Sequence, residues 1–277
     1  MNGGEDSIGI AVRKILAFQL NRLREQIPGI KQDVDIECVH KSRVATRRMR
    51  SALRLFKKAI PVRARKTMSM ELKWFGSLLG AVRDIDVFLL NMPRLKLPNR
   101  VRDDDKRLLN NLIVKMREEP LKKLIETFNT PRYKRLDKRI ERFSHSPVSK
   151  RGKGDSFEHK YIYEIASALI NEKFDATIKD GRIAIKKGKL KAFHRLRIRM
   201  KRFRYALEFM AVAYGGTLDP VIKKTEEIQD RLGEIQDTIF TRSFIDSLRG
   251  EFLRSGVNGN LTLILDAIYE GQRKTAK

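Results

Sequence analysis

Cysteine is almost absent from the chain. Cys38 is the only one in 277 residues, which excludes an internal disulfide and any metal site built on clustered cysteines. Cys38 itself reads as a packing residue rather than a nucleophile. Long apolar runs are missing too: stretches such as Met210 to Tyr214 fall far short of the roughly 20 residues a bilayer span needs. The first residues, MNGGEDSIGIAVRKILAF, place acids ahead of the apolar part and supply no cationic leader, so no signal peptide is expected. Strand-like alternation is nowhere convincing. Aromatics are only 8%, histidines number four, and no Walker A sequence occurs. These absences predict a soluble, cytoplasmic, all-α chain without membrane partner, resident metal or cofactor.

Acidic residues are also in short supply, and that is the first positive signal. Sixty Lys+Arg face 34 Asp+Glu, giving a formal charge of +26 and a pI near 10.3. With 41% hydrophobic residues the chain can still build a core. So large a charge repels itself in the compact state, and an anionic partner relieves that repulsion.

Helical periodicity runs almost throughout, broken by proline and glycine. Amphipathic segments are expected over about 8–26, 36–59, 63–91 and 99–118, with shorter pieces at 121–128 and 132–143. SHSPVSKRGKGDS, Ser144 to Ser156, has almost nothing apolar and reads as an exposed linker. Helices return over about 157–179, 190–214, 218–249 and 261–273. The division is therefore 1–143, a linker at 144–156, and 157–277, two successive helical bundles.

The two parts share a repeat. HKSRVATRRMRSALRLF, from His40, matches HRLRIRMKRFRYALEFM, from His194. His40 pairs with His194, Arg43 with Arg197, Arg47 with Lys201, Arg48 with Arg202 and Arg50 with Arg204. Further on, LLGAVRD matches RLGEIQD, aligning Gly80 with Gly233 and Asp84 with Asp237. The copies lie 154 residues apart at the first segment and 153 at the second, and two ordered segments at nearly one offset argue against chance composition.

On a helix of about 3.6 residues per turn, positions three, seven and ten beyond the histidine fall within an arc of about 80°. His40, Arg43, Arg47 and Arg50 form one stripe, continued by Arg54, while Ala45, Met49, Ala52, Leu53 and Phe56 take the opposite side. In the second copy, His194, Arg197, Lys201 and Arg204 oppose Leu196, Phe203, Ala206, Leu207 and Met210. Arg48 and Arg202 sit beside the stripe. A row of cations repels itself by a few tenths of a kcal/mol per neighbouring pair. Phosphate relieves this, since guanidinium offers it paired donors and imidazole gains charge beside an anion. A merely solvated basic face would not need a duplicated histidine at the same end of each stripe.

The glycine segments predict another role. Each glycine costs a helix up to about 1 kcal/mol relative to alanine, so Gly80 and Gly233 are expected where a neighbouring helix comes close. Asp84 and Asp237, one turn on, would orient an arginine of the stripe. A metal-binding carboxylate is the alternative. Arg83 and Asp86 occur in the first copy only, where the second has Gln236 and Ile239.

The pattern H-x-x-R-x-x-x-[RK]-[RK]-x-R, followed by L-G-x-x-x-D and repeated, resembles the CHAD family, the conserved histidine α-helical domain. The resemblance implies two four-helix bundles with pseudo-twofold symmetry about a basic channel, together one CHAD domain. It also implies binding of inorganic polyphosphate and residence at polyphosphate granules. Carried over by position, the binding set is His40, Arg43, Arg47, Arg48, Arg50, His194, Arg197, Lys201, Arg202 and Arg204. The ExExK signature of the CYTH triphosphatase domain, fused to some members, is absent. The segment from Leu121 to Phe143, with PRYKRLDKR, is additional to the repeat and its role is open.

Two rivals remain at this level. Nucleic acid satisfies the same charge, because phosphate contacts dominate its affinity as well; with no base-reading module it is expected as a weaker competitor. A phosphate-polymer enzyme would need a nucleophile, a water-activating base or clustered carboxylates. None is identifiable from spacing, so no catalytic residue is assigned and binding without turnover is expected.

Overall fold

The computed structural model describes residues 6–94, 101–148, 156–255, 264–266 and 268–269; for 94, 234–239, 242 and 251–255 the backbone alone is described. Among these residues the chain is all-α, without a strand. Eight long helices follow in order: α1 Ile8–Gln32, α2 Ile36–Leu55, α3 Val62–Asn91, α4 Asp103–Thr127, α5 Pro131–His145, α6 Ile162–Lys187, α7 Leu190–Met210 and α8 Asp219–Ser255. Short 3-10 turns follow α3 and α7. The breaks expected at Pro98-Asn99 and 256–260, and most of the last helix, lie outside the described residues.

Three helices run past their expected ends. Pro28 removes one amide donor, yet α1 continues to Gln32 and ends on Asp33 in the left-handed region (φ 51°). Ile30, only 1% exposed, holds this last turn in the core. A Cβ on Gly29 would come within 2.5 Å of the Cys38 Sγ, so α2 crosses tightly here and Cys38 does pack. Helix α4 likewise passes Pro120, since Leu121 and Leu124 beyond it are buried. Helix α6 runs past its expected end near 179 to a left-handed cap at Gly188, with Ala184 wholly buried. Burial of Ile30, Leu121 and Leu124, worth roughly 1.5–3 kcal/mol each, offsets the local proline penalty.

The chain forms two compact units, and each draws on both halves of the sequence. The first comprises 1–80 and 123–229, the second 81–122 and 230–277. Helices α3, α4 and α8 contribute residues to both.

In the first unit α1 packs along α2 and α5, α6 along α7, and α2 meets α7. Val12, Leu16, Leu20 and Leu23 from α1 join Met49, Leu53, Met68, Leu72 and Phe75 in its core. The rings of Phe75, Phe128 and Tyr133 pack edge-on or tilted, with centres 5.0–5.9 Å apart. The start of α1 is tied to the segment before α6, with Gly9 N–H donating to the Glu158 carbonyl at 2.8 Å and Arg13 to the Pro147 carbonyl at 3.3 Å. The flanks of the expected linker are thus docked; 149–155 lie outside the described residues. Helix α5 has a structural role. Arg24 grips Asp137 at 2.5 Å and Glu141 at 2.8 Å, and Arg132 reaches Glu71 at 2.7 Å while lying over Trp74.

The second unit buries Ile85, Phe88, Leu109, Ile113, Ile245, Leu248, Ile264, Leu265 and Ile268 together. Phe88 and Phe244 lie 4.6 Å apart. Within it Arg117 donates to fully buried Asp86 at 2.6 Å, and Arg249 pairs with Asp266.

Candidate functional site

The periodicity that separates cations from apolar residues on α2 and α7 also determines where the two helices meet. Met49, Ala52, Leu53 and Phe56 are fully buried on one side of α2, and Ala206, Leu207 and Met210 on one side of α7. The basic edges then run against each other along a seam within the first unit. Arg48 of α2 donates to Glu208 of α7 at 2.5 Å. Phe56 and Phe209 pack at 6.3 Å, fixing the far end.

Tyr205 lies in the middle of the seam, 2% exposed. The guanidinium groups of Arg47, Arg48 and Arg204 stand 5.7, 5.9 and 5.5 Å from its ring centre. Such contacts stabilise cations that have lost water. Glu208 meets Arg204 at 3.3 Å as well as Arg48, and Arg204 also reaches Glu226 at 2.8 Å. Burial pushes the Glu208 carboxyl upward, and the two arginines oppose that shift.

Lys201 reports the electrostatic result. Its ammonium is pushed down to about 7, first by burial and then by the charges of Arg47, Arg197, Arg43 and Arg204. Arg47 is lowered for the same reasons, burial first. Members of both sequence stripes therefore share one positive field although their copies are 154 residues apart.

The expected set divides. Arg43, Arg47, Arg48, Arg197, Lys201 and Arg204 gather at the seam. Arg50 turns toward α3, lining a separate groove. Arg202 turns toward α6, beside Arg54, Lys173 and Arg199, and burial followed by Arg54 and Arg199 lowers it. His40, at the start of α2, shares a 2.8 Å hydrogen bond with Glu37, and His194 is exposed near the start of α7. Arg195 and Arg199 pair with buried Asp180 on α6 at 3.1 and 2.9 Å.

The glycine expectation needs correction. A Cβ at Gly80 or Gly233 would meet nothing within 4 Å, so the close helix approach predicted there is not found among the described residues. Asp84 belongs to the second unit and is half-buried; the side chain of Asp237 lies outside the described residues.

Glu208 and Tyr205 were not singled out from the sequence. The usable signal was the break in the repeat: Glu208 stands where the first copy has Arg54, and Tyr205 where it has Ser51. Among the described residues no group of three or more His, Cys, Asp or Glu is placed to hold a metal, and no helix is long and apolar enough to cross a membrane.

The family model of the CHAD domain matches residues 14–246, which takes in both stripes. The chain belongs to the CHAD family. The CHAD domain crystal structure from the plant Ricinus communis is similar at 23% identity, covering 98% of this chain and 93% of that one, with a TM-score of 0.72. PptA from Streptomyces chartreusis has the same TM-score at 13% identity, over 98% and 95%. At such identities these two structures establish a shared CHAD fold and nothing finer. No curated protein matches the chain.

Proposed function

We propose that this CHAD protein binds inorganic polyphosphate along the seam between α2 and α7, without turning it over. Arg43, Arg47, Arg48, Arg197, Lys201 and Arg204 would contact successive phosphoryl oxygens. His40 and His194, at the starting ends of their helices, would extend the track. The observation that carries this reading is Lys201, a lysine driven to about 7 by burial and four arginines. A polyanion supplies the charge that would return its proton. The CHAD resemblance points to the same ligand, to a basic channel between repeated bundles, and to a cytoplasmic protein at polyphosphate granules; we adopt these as part of the proposal.

A polymer of phosphoryl groups suits the seam better than nucleic acid because Tyr205, its central aromatic, is buried and has no face to offer a base. The test is competition of polyphosphate against RNA and DNA at matched charge and fixed salt. Polyphosphate should displace both; if either nucleic acid wins, the assignment is wrong. Incubation with polyphosphate and Mg²⁺ should leave its chain length unchanged, and shortening would replace binding with catalysis.

A further inference from the structure

We propose that the groove between the end of α2 and the first half of α3 is a second anion site, shaped for a compact triphosphoryl group. Two rows of side chains form it. Arg50, Arg54 and Lys57 recur at helical spacing from α2 into its following turn, and Arg65, Ser69 and Lys73 recur every fourth residue along α3. Between them lies a cavity of about 410 Å³ with fully buried Leu53 among its lining residues. Among the described residues five cations and a hydroxyl line it, and no carboxylate does.

The nearby acids are engaged elsewhere. Glu71 of α3 bonds Arg132 at 2.7 Å. Glu172 of α6 is close enough to feel Lys57 and Lys58, yet it holds Lys173 at 2.6 Å. Within the groove the Arg65 Nε is buried with no hydrogen-bond partner. A donor left without an acceptor is unfavourable, and an oxyanion held against the Arg65 guanidinium from the groove would offset that by its charge. Burial, followed by the charge of Arg50, lowers the Arg54 guanidinium.

A lining of five cations and one hydroxyl selects a ligand rich in acceptors at high charge density, and phosphate is the best match for paired guanidinium donors. The cavity volume equals roughly fourteen water molecules at about 30 Å³ each. That suits a few phosphoryl groups rather than a folded polymer. The occupant is either the end of a polyphosphate chain or the triphosphate of a free small molecule. The groove shares no residue with the seam set above, so this inference stands or falls separately from the polymer reading.

Calorimetric titration of the full chain with tripolyphosphate tests it. The wild-type protein should bind saturably. Lys57→Gln with Lys73→Gln, two exposed positions whose change leaves the core intact, should weaken binding about tenfold or more; Arg65→Gln should do likewise. Arg43→Gln with Arg197→Gln, in the seam, should change tripolyphosphate affinity by less than about twofold. Adenosine triphosphate binding as tightly as tripolyphosphate would support the site and name free triphosphates as its occupant. Discrimination against both adenosine triphosphate and cyclic trimetaphosphate would support it and name the chain end. No saturable binding, or equal losses in the groove and seam pairs, overturns the proposal.

Discussion

Arg48 on α2 donates to Glu208 on α7 at 2.5 Å, and the same carboxylate meets Arg204 at 3.3 Å. Glu208 therefore acts as a built-in counter-ion that lets two cationic helices pack edge to edge. Replacing it with glutamine leaves two partly buried guanidiniums with less negative charge to meet. We predict that Glu208→Gln costs about 1–3 kcal/mol of stability. Because a bound polyanion supplies the missing charge, added polyphosphate should raise the midpoint of the variant more than that of wild type. Thermal unfolding with and without polyphosphate measures both effects, and equal ligand-induced shifts would count against polyphosphate occupying the seam.

Lys201 gives the pH dependence a sign. Its ammonium loses its proton near 7 in the free protein, against an ordinary value above 10. Above 7 the seam is short of one positive charge, and binding a polyanion restores it as Lys201 takes up a proton from solvent. Affinity should rise as pH falls from about 9 to 7, approaching tenfold per pH unit at the limit of one proton bound. For stability alone the direction is opposite: between about 7 and 10.5 the unfolded chain holds more protons at this site, so stability rises with pH there. Calorimetry in buffers of different ionisation enthalpy should detect the proton uptake. Lys201→Gln should abolish it, whereas Lys201→Arg should keep tight binding at pH 9. The double variant His40→Ala, His194→Ala measures the share carried by the histidines; if all the uptake vanishes there, Lys201 is not the responsive group.

The stripes and buried faces of α2 and α7 were legible because one helix places periodic residues on one side whatever its neighbours do. Met49, Leu53, Ala206 and Met210 came out buried as their spacing required. The helices expected to stop before Pro28 and Pro120 run on because the local proline penalty, about 3 kcal/mol, was weighed without the burial of Ile30, Leu121 and Leu124, and α6 likewise passes 179 with Ala184 buried beyond it. Which stripe residues converge was not legible either. Arg47 and Arg50 are less than one turn apart, yet one meets Tyr205 while the other faces α3. The rotation of each helix about its axis decides that, and it is set by packing partners distant in sequence.

Counterion release makes salt dependence a count of engaged cations. For a single-stranded polyanion each contact contributes a slope of about −0.7 in log K against log salt. Six seam cations predict a slope near about −4. Arg43→Gln with Arg197→Gln should flatten it by about 1.4 and weaken polyphosphate binding. A slope that stays unchanged in this variant would place the polymer elsewhere on the protein.

Asp86 and Arg117 present the opposite case, an ion pair far more enclosed than anything in the seam. Asp86 is wholly buried and Arg117 is 8% exposed, with 2.6 Å between them inside the second unit. Two charges brought out of water gain little as a pair, but either alone is strongly unfavourable. Asp86→Ala should therefore cost about 3–5 kcal/mol, while Asp86→Leu combined with Arg117→Met should recover most of that loss, since it removes both charges and keeps the volume filled. Urea unfolding of the single and double variants distinguishes these outcomes, and hydrogen exchange over 85–91 and 109–117 localises them to the second unit. If the single variant unfolds at the wild-type midpoint, the pair is not a structural determinant and Asp86, found in the first copy of the repeat alone, needs another explanation.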